Sequence, residues 1–401
     1  MGRDGGSGLL RSNPAFRALF GARVISFTGD SLGLVALMLY VADTTGQAIA
    51  VSLLLLVGDF VPSLLAPITG AVSDKFDLRR VMIICELVQG AIMTLIALAL
   101  PMPLPVLLTL VAARAITGQV FQPASRTAIP ALVHDRDLES ANSTLGLGTN
   151  GAEAVGPLIA AALFPLLGVR GVLLVDAATF FVSAALLIVV RPASSAPRQR
   201  SSLLADARSG LGYIWSAPAV RVIALGFFAV VAFNGIDDVA LVLLAKDDFG
   251  AGDSAVGLLL AAVGIGLLLG YLLLARYGAR VSMVALLSLG FAVSSLGNLL
   301  TGLAWAVAAA FTVQTVRGIG IAAMDVAANT LLQRLVPAGM LGRVFGNLYG
   351  AIGVAAGLSY IGGGLLLDAT SAPTTFLIAG AGGTLATLAV ARTLPRTMPW
   401  P

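Results

Sequence analysis

VMIICELVQGAIMTLIALAL, Val81 to Leu100, is twenty residues long and carries one charge, Glu86, close to its start. At about 1.5 Å per helical residue, such a run measures roughly 30 Å, the thickness of a bilayer's hydrocarbon core. Eleven more runs of this kind can be placed along the 401 residues, at 18–41, 49–71, 105–127, 142–165, 170–190, 222–245, 254–275, 280–302, 304–327, 344–367 and 373–394. The pair that meets at Leu303 is the least clearly divided. Composition agrees with this pattern: 58% of residues are hydrophobic and 11% charged, whereas a soluble domain carries about a quarter charged residues. The expected fold is an all-α integral membrane protein of twelve transmembrane helices.

Of the 24 basic residues, 19 fall in loops on one side and only Arg170 and Lys246 on the other; Arg23, Arg114 and Arg317 lie inside spans. Basic residues accumulate in cytoplasmic loops, so both termini are expected in the cytoplasm and the protein in the inner (plasma) membrane. Met1 to Leu19 is polar and Gly-rich with Arg3, Arg11 and Arg17, and the run after it holds Asp30 instead of ending at a small-residue cleavage site. This reads as a cytosolic tail and not a signal peptide. The longest connection, 191–221, opens with RPASSAPRQR and continues into an amphipathic stretch, Leu203 to Trp215. It divides the chain into a six-helix bundle with its tail (1–190), a linker (191–221) and a second six-helix bundle (222–401). Arg114, Thr127, Leu132 and Val133 are echoed 203 residues later by Arg317, Thr330, Leu335 and Val336. An internal repeat of this kind matches a two-bundle architecture. The 46 glycines suit close helix packing in lipid.

Several function classes fall away. The net charge of +4 does not gather into an aromatic-interleaved basic patch, so nucleic acid is not a partner. The one cysteine, Cys85, in an apolar setting, reads as a buried inert thiol. The one histidine, His134, falls in a loop, so neither a zinc triad nor a serine hydrolase arrangement can be assembled within the membrane. No phosphate-binding glycine loop with Lys and Ser or Thr occurs. The chain is not expected to be an enzyme, needs no cofactor or metal, and must draw energy from an ion or substrate gradient.

Charges at bilayer depth cost about 2.5 to 3.5 kcal/mol each at a helix centre, so each asks for a partner, water or a task. Asp30 lies mid-span in the first run, with Arg23 two turns earlier on the same face. Burial raises a carboxylate's pKa and a nearby arginine lowers it, a balance suited to a proton carrier; a fixed ion pair is the structural alternative. Arg114 and Arg317 occupy matching places in spans four and ten, and can steady an acid or an anionic group without releasing a proton. Asn234, Asp237 and Asp238 fall on one face of span seven if that helix is continuous, and two adjacent acids are not both expected to be charged at depth. Asp59, Glu153, Asp176 and Asp325 are further candidates, while Glu86 and Asp368, near span ends, are expected to be solvated. Pro157 leaves the carbonyl of Glu153 without its helical partner, so a bend is expected there. Phe27, Phe121, Phe227, Phe228, Phe233 and Trp305 could furnish an apolar binding wall, although packing is the commoner use of such residues.

The loop GAVSDKFDLRR, Gly70 to Arg80, resembles the signature after span two of the major facilitator superfamily: Gly70, Asp74 and Lys75 fit, Asp77 and Leu78 depart from it, and Arg79 and Arg80 keep its positive end. A partial copy, ARYGAR, follows span eight at 275–280. PASRTAIPALVHDRDLESAN (123–142), VDAATFFVSAALL (175–187), DARSGLGYIWSAPAVR (206–221) and LLQRLVPAGMLGRVFG (331–346) resemble the drug and proton antiporter branch that includes macrolide efflux and enterobactin-exporter-like proteins. The resemblance implies a two-bundle fold, alternating access, and proton-driven export of a small, amphiphilic molecule such as a drug, secondary metabolite or siderophore, by a protein working as a monomer. It implies that spans one, four, seven and ten line the cavity, with Arg114 in proton coupling and Asp74, Arg79 and Arg80 in a latch against the start of span eleven. The branch's antiporter pattern in span five is met by Gly156 and Pro157, with alanines in place of its other glycines. A proton-independent facilitator or lipid or metabolite transporter of the same fold is the competing reading.

Overall fold

A computed structural model describes residues 6–45, 48–190, 203–251, 253–278 and 281–398, and every regular element in them is helical. The side chains of Asp59, Glu153, Pro157 and Asp238 lie outside the described residues. In chain order the helices are α1 (Gly6–Ser12), α2 (Pro14–Thr45), α3 (Ala48–Lys75), α4 (Leu78–Ala99), α5 (Leu104–Leu132), α6 (Leu138–Leu187) and α7 (Leu203–Ser216). They continue with α8 (Pro218–Asn234), α9 (Asp237–Leu243), α10 (Asp253–Tyr277), α11 (Met283–Thr301), α12 (Val307–Leu335), α13 (Leu341–Ala369) and α14 (Ala372–Thr397).

Local chemistry sets several of these ends. Asp77 caps α4 by accepting from the Arg80 N–H at 2.8 Å, and Ser371 caps α14 by accepting from Thr374 N–H at 3.4 Å. Such caps satisfy amide groups that the helix itself leaves open. The 50-residue α6 is two helices in sequence, because Gly168 sits at φ 59°, ψ −177°, a backbone region that only glycine adopts without strain. The pair of runs that met at Leu303 is separated by a short non-helical link between α11 and α12.

Ten helices among the described residues are long and apolar enough to cross a membrane. Twelve were expected; the other two expected runs, 49–71 and 142–165, cross positions outside the described residues, which interrupts the apolar stretch that can be counted. The outward side chains are as apolar as the core: Leu98, Leu166, Ile361 and Leu385 are all largely exposed. Water would penalise that surface, and lipid does not.

Span seven departs from the continuous helix assumed above. It stops at Asn234, turns through Gly235 and Ile236, and restarts at Asp237. Asn234 donates to Ser295 of α11 while Asp237 pairs with Arg317 of α12, so these two members of the expected stripe have different partners.

The chain groups into two compact units. Unit 1 comprises 1–135, 148–211 and 337–350; unit 2 comprises 136–147, 212–336 and 351–401. The beginnings of α6 and α13 thus belong to a different unit from the remainder of the same helix. The core of unit 1 gathers Leu32, Leu37, Met93, Ile96, Val111 and Phe180, all fully or nearly fully buried. In unit 2, Leu241, Leu244, Leu259, Ala310 and Phe376 do the same. Close backbone approach supplements side-chain packing: α10 and α12 meet at Gly266 and Gly318, where a Cβ on either would strike the other's backbone.

Candidate functional site

In unit 1, Arg114 on α5 donates to Asp30 on α2 and the two form an ion pair. Their side chains remain 14% and 34% exposed, because the pair opens onto a cavity of about 480 Å³. That volume falls within the range of small-molecule sites, roughly 300 to 1,000 Å³. Phe27, Leu34 and Phe121 give the cavity apolar wall, and Gln89, Gln119 and Gln122 give it neutral polar groups. Arg23 does not pair with Asp30 as its position on the same face suggested. Its guanidinium donates to Gln122 at 3.0 Å and to Ser125, and lies over the Phe27 ring at 4.9 Å from the centroid. The α2 backbone reaches α6 through Gly156, which packs against Ser31.

Two further acids complete this cluster. Glu86, expected in solvent, is instead fully buried and contributes to the cavity wall. It stands two helical turns inside α4, within electrostatic reach of Asp30 and Arg23. Asp176 on α6 is also fully buried, in contact range of Gly29 and Gly33 of α2 and within electrostatic reach of Asp30 and Arg114. Ser26 and Ser183 stand at the Glu86 carboxylate, while neither carboxylate oxygen of Asp176 closes a hydrogen bond among the described residues.

Unit 2 holds the counterpart pair in a different setting. Arg317 on α12 pairs with Asp237 at the first turn of α9, with side chains only 5% and 11% exposed. Arg317 also donates to Gln314 Oε1 at 3.2 Å, and Gln314 donates to Thr301 Oγ1 at 3.0 Å. Asn234 turns instead toward α11, donating to Ser295 Oγ at 3.4 Å. Asp325 accepts from the Tyr271 hydroxyl at 3.0 Å and from Asn329 Nδ2 at 2.8 Å. Of the aromatic residues, Phe227 is spent on an edge contact with Phe291, while Phe233 and Trp305 stand exposed.

The loop after α3 meets the start of α13 inside unit 1. Asp74 is buried and accepts from the amides of Gly342 at 3.0 Å and Arg343 at 2.8 Å. These are first-turn N–H groups that α13 cannot satisfy itself, so a carboxylate from another helix serves as its cap and meets its dipole. Gly70 makes room, since a Cβ there would collide with the backbone of Gly342 and Gly346. Arg343 also bonds Asp206 of α7 at 2.8 Å. Arg80 is exposed, while Lys75 and Arg79 are half-buried. In unit 2 the start of α6 is held similarly: Glu139 pairs with Arg334 at 2.9 Å, and Asn142 donates to Gln333 at 2.6 Å and to Thr330 at 3.1 Å.

A family model described as transmembrane secretion effector matches residues 10–398 of this chain, which is nearly all of it. The chain belongs to that family, within the major facilitator superfamily. Among its relatives, the multidrug efflux pump Tap of Mycolicibacterium fortuitum is 28% identical over 92% of this chain and 92% of its own. The enterobactin exporter EntS of Escherichia coli is 26% identical over 88% of this chain and 86% of its own. A solved bacterial homologue of the iron transporter ferroportin superposes with TM-score 0.74 at 20% identity, covering 96% of this chain and 99% of that one, a likeness of fold alone. This secretion effector is thus a multi-pass membrane transporter and not an enzyme.

Within the secretion effector, the structure joins Asp30 to Arg114 and Asp237 to Arg317, and adds Asp176 to the first pair. Three contributors escaped the sequence reading. Glu86 was discounted by its distance from a span end, although its place on the α4 face shared with Gln89 and Met93 could have signalled burial. Arg343 and Asp206 sit in the very motifs that carried the family resemblance, but no spacing rule links residues so far apart.

Proposed function

We propose that this secretion effector is a secondary active exporter that exchanges protons for a small amphiphilic molecule by alternating access. In this reading it has twelve spans, arranged as bundles 1–190 and 222–401 joined by the linker 191–221. It works as a monomer in the plasma membrane with both termini cytoplasmic. The observation that carries the proposal is the Asp30–Arg114 pair opening onto the unit 1 cavity. A carboxylate one-third exposed beside a fixed positive charge can gain and lose a proton without unfolding its surroundings. Asp30 is therefore the first proton carrier. Asp237, almost sealed against Arg317, is second to it. Arg114 supplies the fixed positive charge beside Asp30, and Asp74 with Arg343 steadies the start of α13. The names of Tap and EntS, an efflux pump and an exporter, support the outward direction.

Everted membrane vesicles with an imposed pH gradient test the proposal. Flux of a fluorescent amphiphile should rise with the gradient, collapse with an uncoupler, and lose its gradient response in Asp30→Asn. Flux that ignores both gradient and uncoupler would favour a proton-independent facilitator.

A further inference from the structure

Helix α7 turns its acid inward and its large apolar side chains outward. On the docked side, Arg343 at the start of α13 bonds Asp206 at 2.8 Å and donates to Ser209 Oγ at 2.8 Å, and Asn347 donates to the Ala207 carbonyl at 3.0 Å. Gly210 lies so close to the Arg343 side chain that a Cβ there would collide with it. These contacts fix the rotation of the helix and leave two exposed flanks. One carries Ala205, Ser209, Gly212 and Ser216, all small. The other carries Leu204, Arg208, Leu211 and Trp215, at steps of four, three and four residues that place them on one line along the helix. Leu204 is 70%, Leu211 46% and Trp215 52% exposed.

Two leucines and a tryptophan in a row are costly in water, and the bilayer begins where α7 ends. The helix stops at Ser216, and α8, long and apolar enough to cross a membrane, starts at Pro218. Trp215 therefore stands at the level where that span enters lipid, the depth at which tryptophan accumulates. Arg221 in the first turn of α8 donates to the Trp215 carbonyl at 3.0 Å and ties the two helices together. At about 1.5 Å per residue α7 measures roughly 21 Å, too short to cross the hydrocarbon core and suited to lying along its surface. Charge selects the lipid. The outer line carries Arg208 and no acid, and residues 191–202, just before α7 in the sequence, add Arg191, Arg198 and Arg200, again with no acid. A second copy of this chain fits less well, because stable protein interfaces bury about 1,200 Å² or more and one flank of a short helix does not supply that area.

We propose that the flank of α7 formed by Leu204, Arg208, Leu211 and Trp215 is a binding surface for anionic phospholipid. The two leucines and the tryptophan sit among the upper acyl chains, Arg208 meets the headgroup phosphates, and the flank of small residues faces water. This surface depends neither on the cargo nor on the direction of transport. The docked side of the same helix ends on Arg343, whose amide is capped by Asp74, so the bound lipid lies one side chain away from the start of α13.

The chain has 3 tryptophans, so the full-length protein with Trp305→Phe and Trp400→Phe reports on Trp215 alone; Trp305 is 86% exposed and its replacement disturbs no packing. One copy per nanodisc, with lipids brominated high in the acyl chains as contact quenchers, gives the test. Brominated phosphatidylglycerol should quench Trp215 about fivefold more efficiently than brominated phosphatidylcholine at the same fraction of the bilayer, the preference that one arginine confers near an anionic surface. Arg208→Gln should bring the two lipids to parity while leaving both able to quench, and high salt should do the same without any substitution, because it screens the headgroup charge. Equal quenching by the two lipids before any substitution would overturn the proposal. Quenching by aqueous acrylamide with none by either lipid would place the flank in water, and protection from all three quenchers would give it a protein occupant; either result overturns it as well.

Discussion

Helices α5 and α12 are both 29 residues long, begin and end 203 positions apart, and place Arg114 and Arg317 at the same register, yet the two arginines have opposite electrical surroundings. Among the described residues, Arg317 pairs with Asp237 and donates to Gln314, whose own amide donates to Thr301. Arg114 shares its cluster with Arg23 and three acids and opens onto a cavity. The first pair meets the cavity directly, whereas the second is closed in by its neighbours. One repeat is a nearly sealed pair and the other a pair open to a cavity.

The strongest way to break this comparison is to split the nearly sealed pair. Asp237→Ala strands a guanidinium that is 5% exposed, and removing one partner of a buried pair costs about 3–5 kcal/mol. Thermal unfolding in detergent should show a large drop in midpoint, recovered in good part by adding Arg317→Gln. A small drop without rescue would mean that the pair does not brace the fold.

An intermediate effect is expected from crowding Asp176. A methyl group at Gly33 would collide with the Asp176 carboxylate and press on Met93, and overpacking of this kind costs about 1–3 kcal/mol. Gly33→Ala should therefore lower the unfolding midpoint of the purified protein in detergent. An unchanged midpoint would mean that the contact between α2 and Asp176 yields without cost.

The smallest stability effect should come from Asp30→Asn. Asp30 is 34% exposed, Arg114 retains Asp176 nearby, and partly exposed pairs contribute under about 1 kcal/mol. The unfolding midpoint should barely move although gradient-driven flux falls at least tenfold in the same preparation. Parallel losses of stability and flux would make Asp30 a structural partner like Asp237 and erase the distinction between the repeats.

The sequence disclosed much of this architecture. Apolar runs located the helices, because hydropathy and helical rise act locally, and the repeat of Arg114 at Arg317 proved to include the full extent of α5 and α12. Asp74 could be marked for the start of span eleven through the family resemblance. The failures share one cause. Glu86 was judged by its distance along the helix, and Asn234 and Asp237 by an unbroken helix that the turn at Gly235 and Ile236 interrupts. Both judgements treat a helix by itself, while burial depends on what packs beside it.

The sequence by itself thus determined the solvent, the helix positions and the internal repeat, since each follows from residues close in the chain. Only the tertiary structure decided which acids share which arginines: Glu86, Asp176 and Asp30 arrive from three different helices, and they meet only once those helices pack.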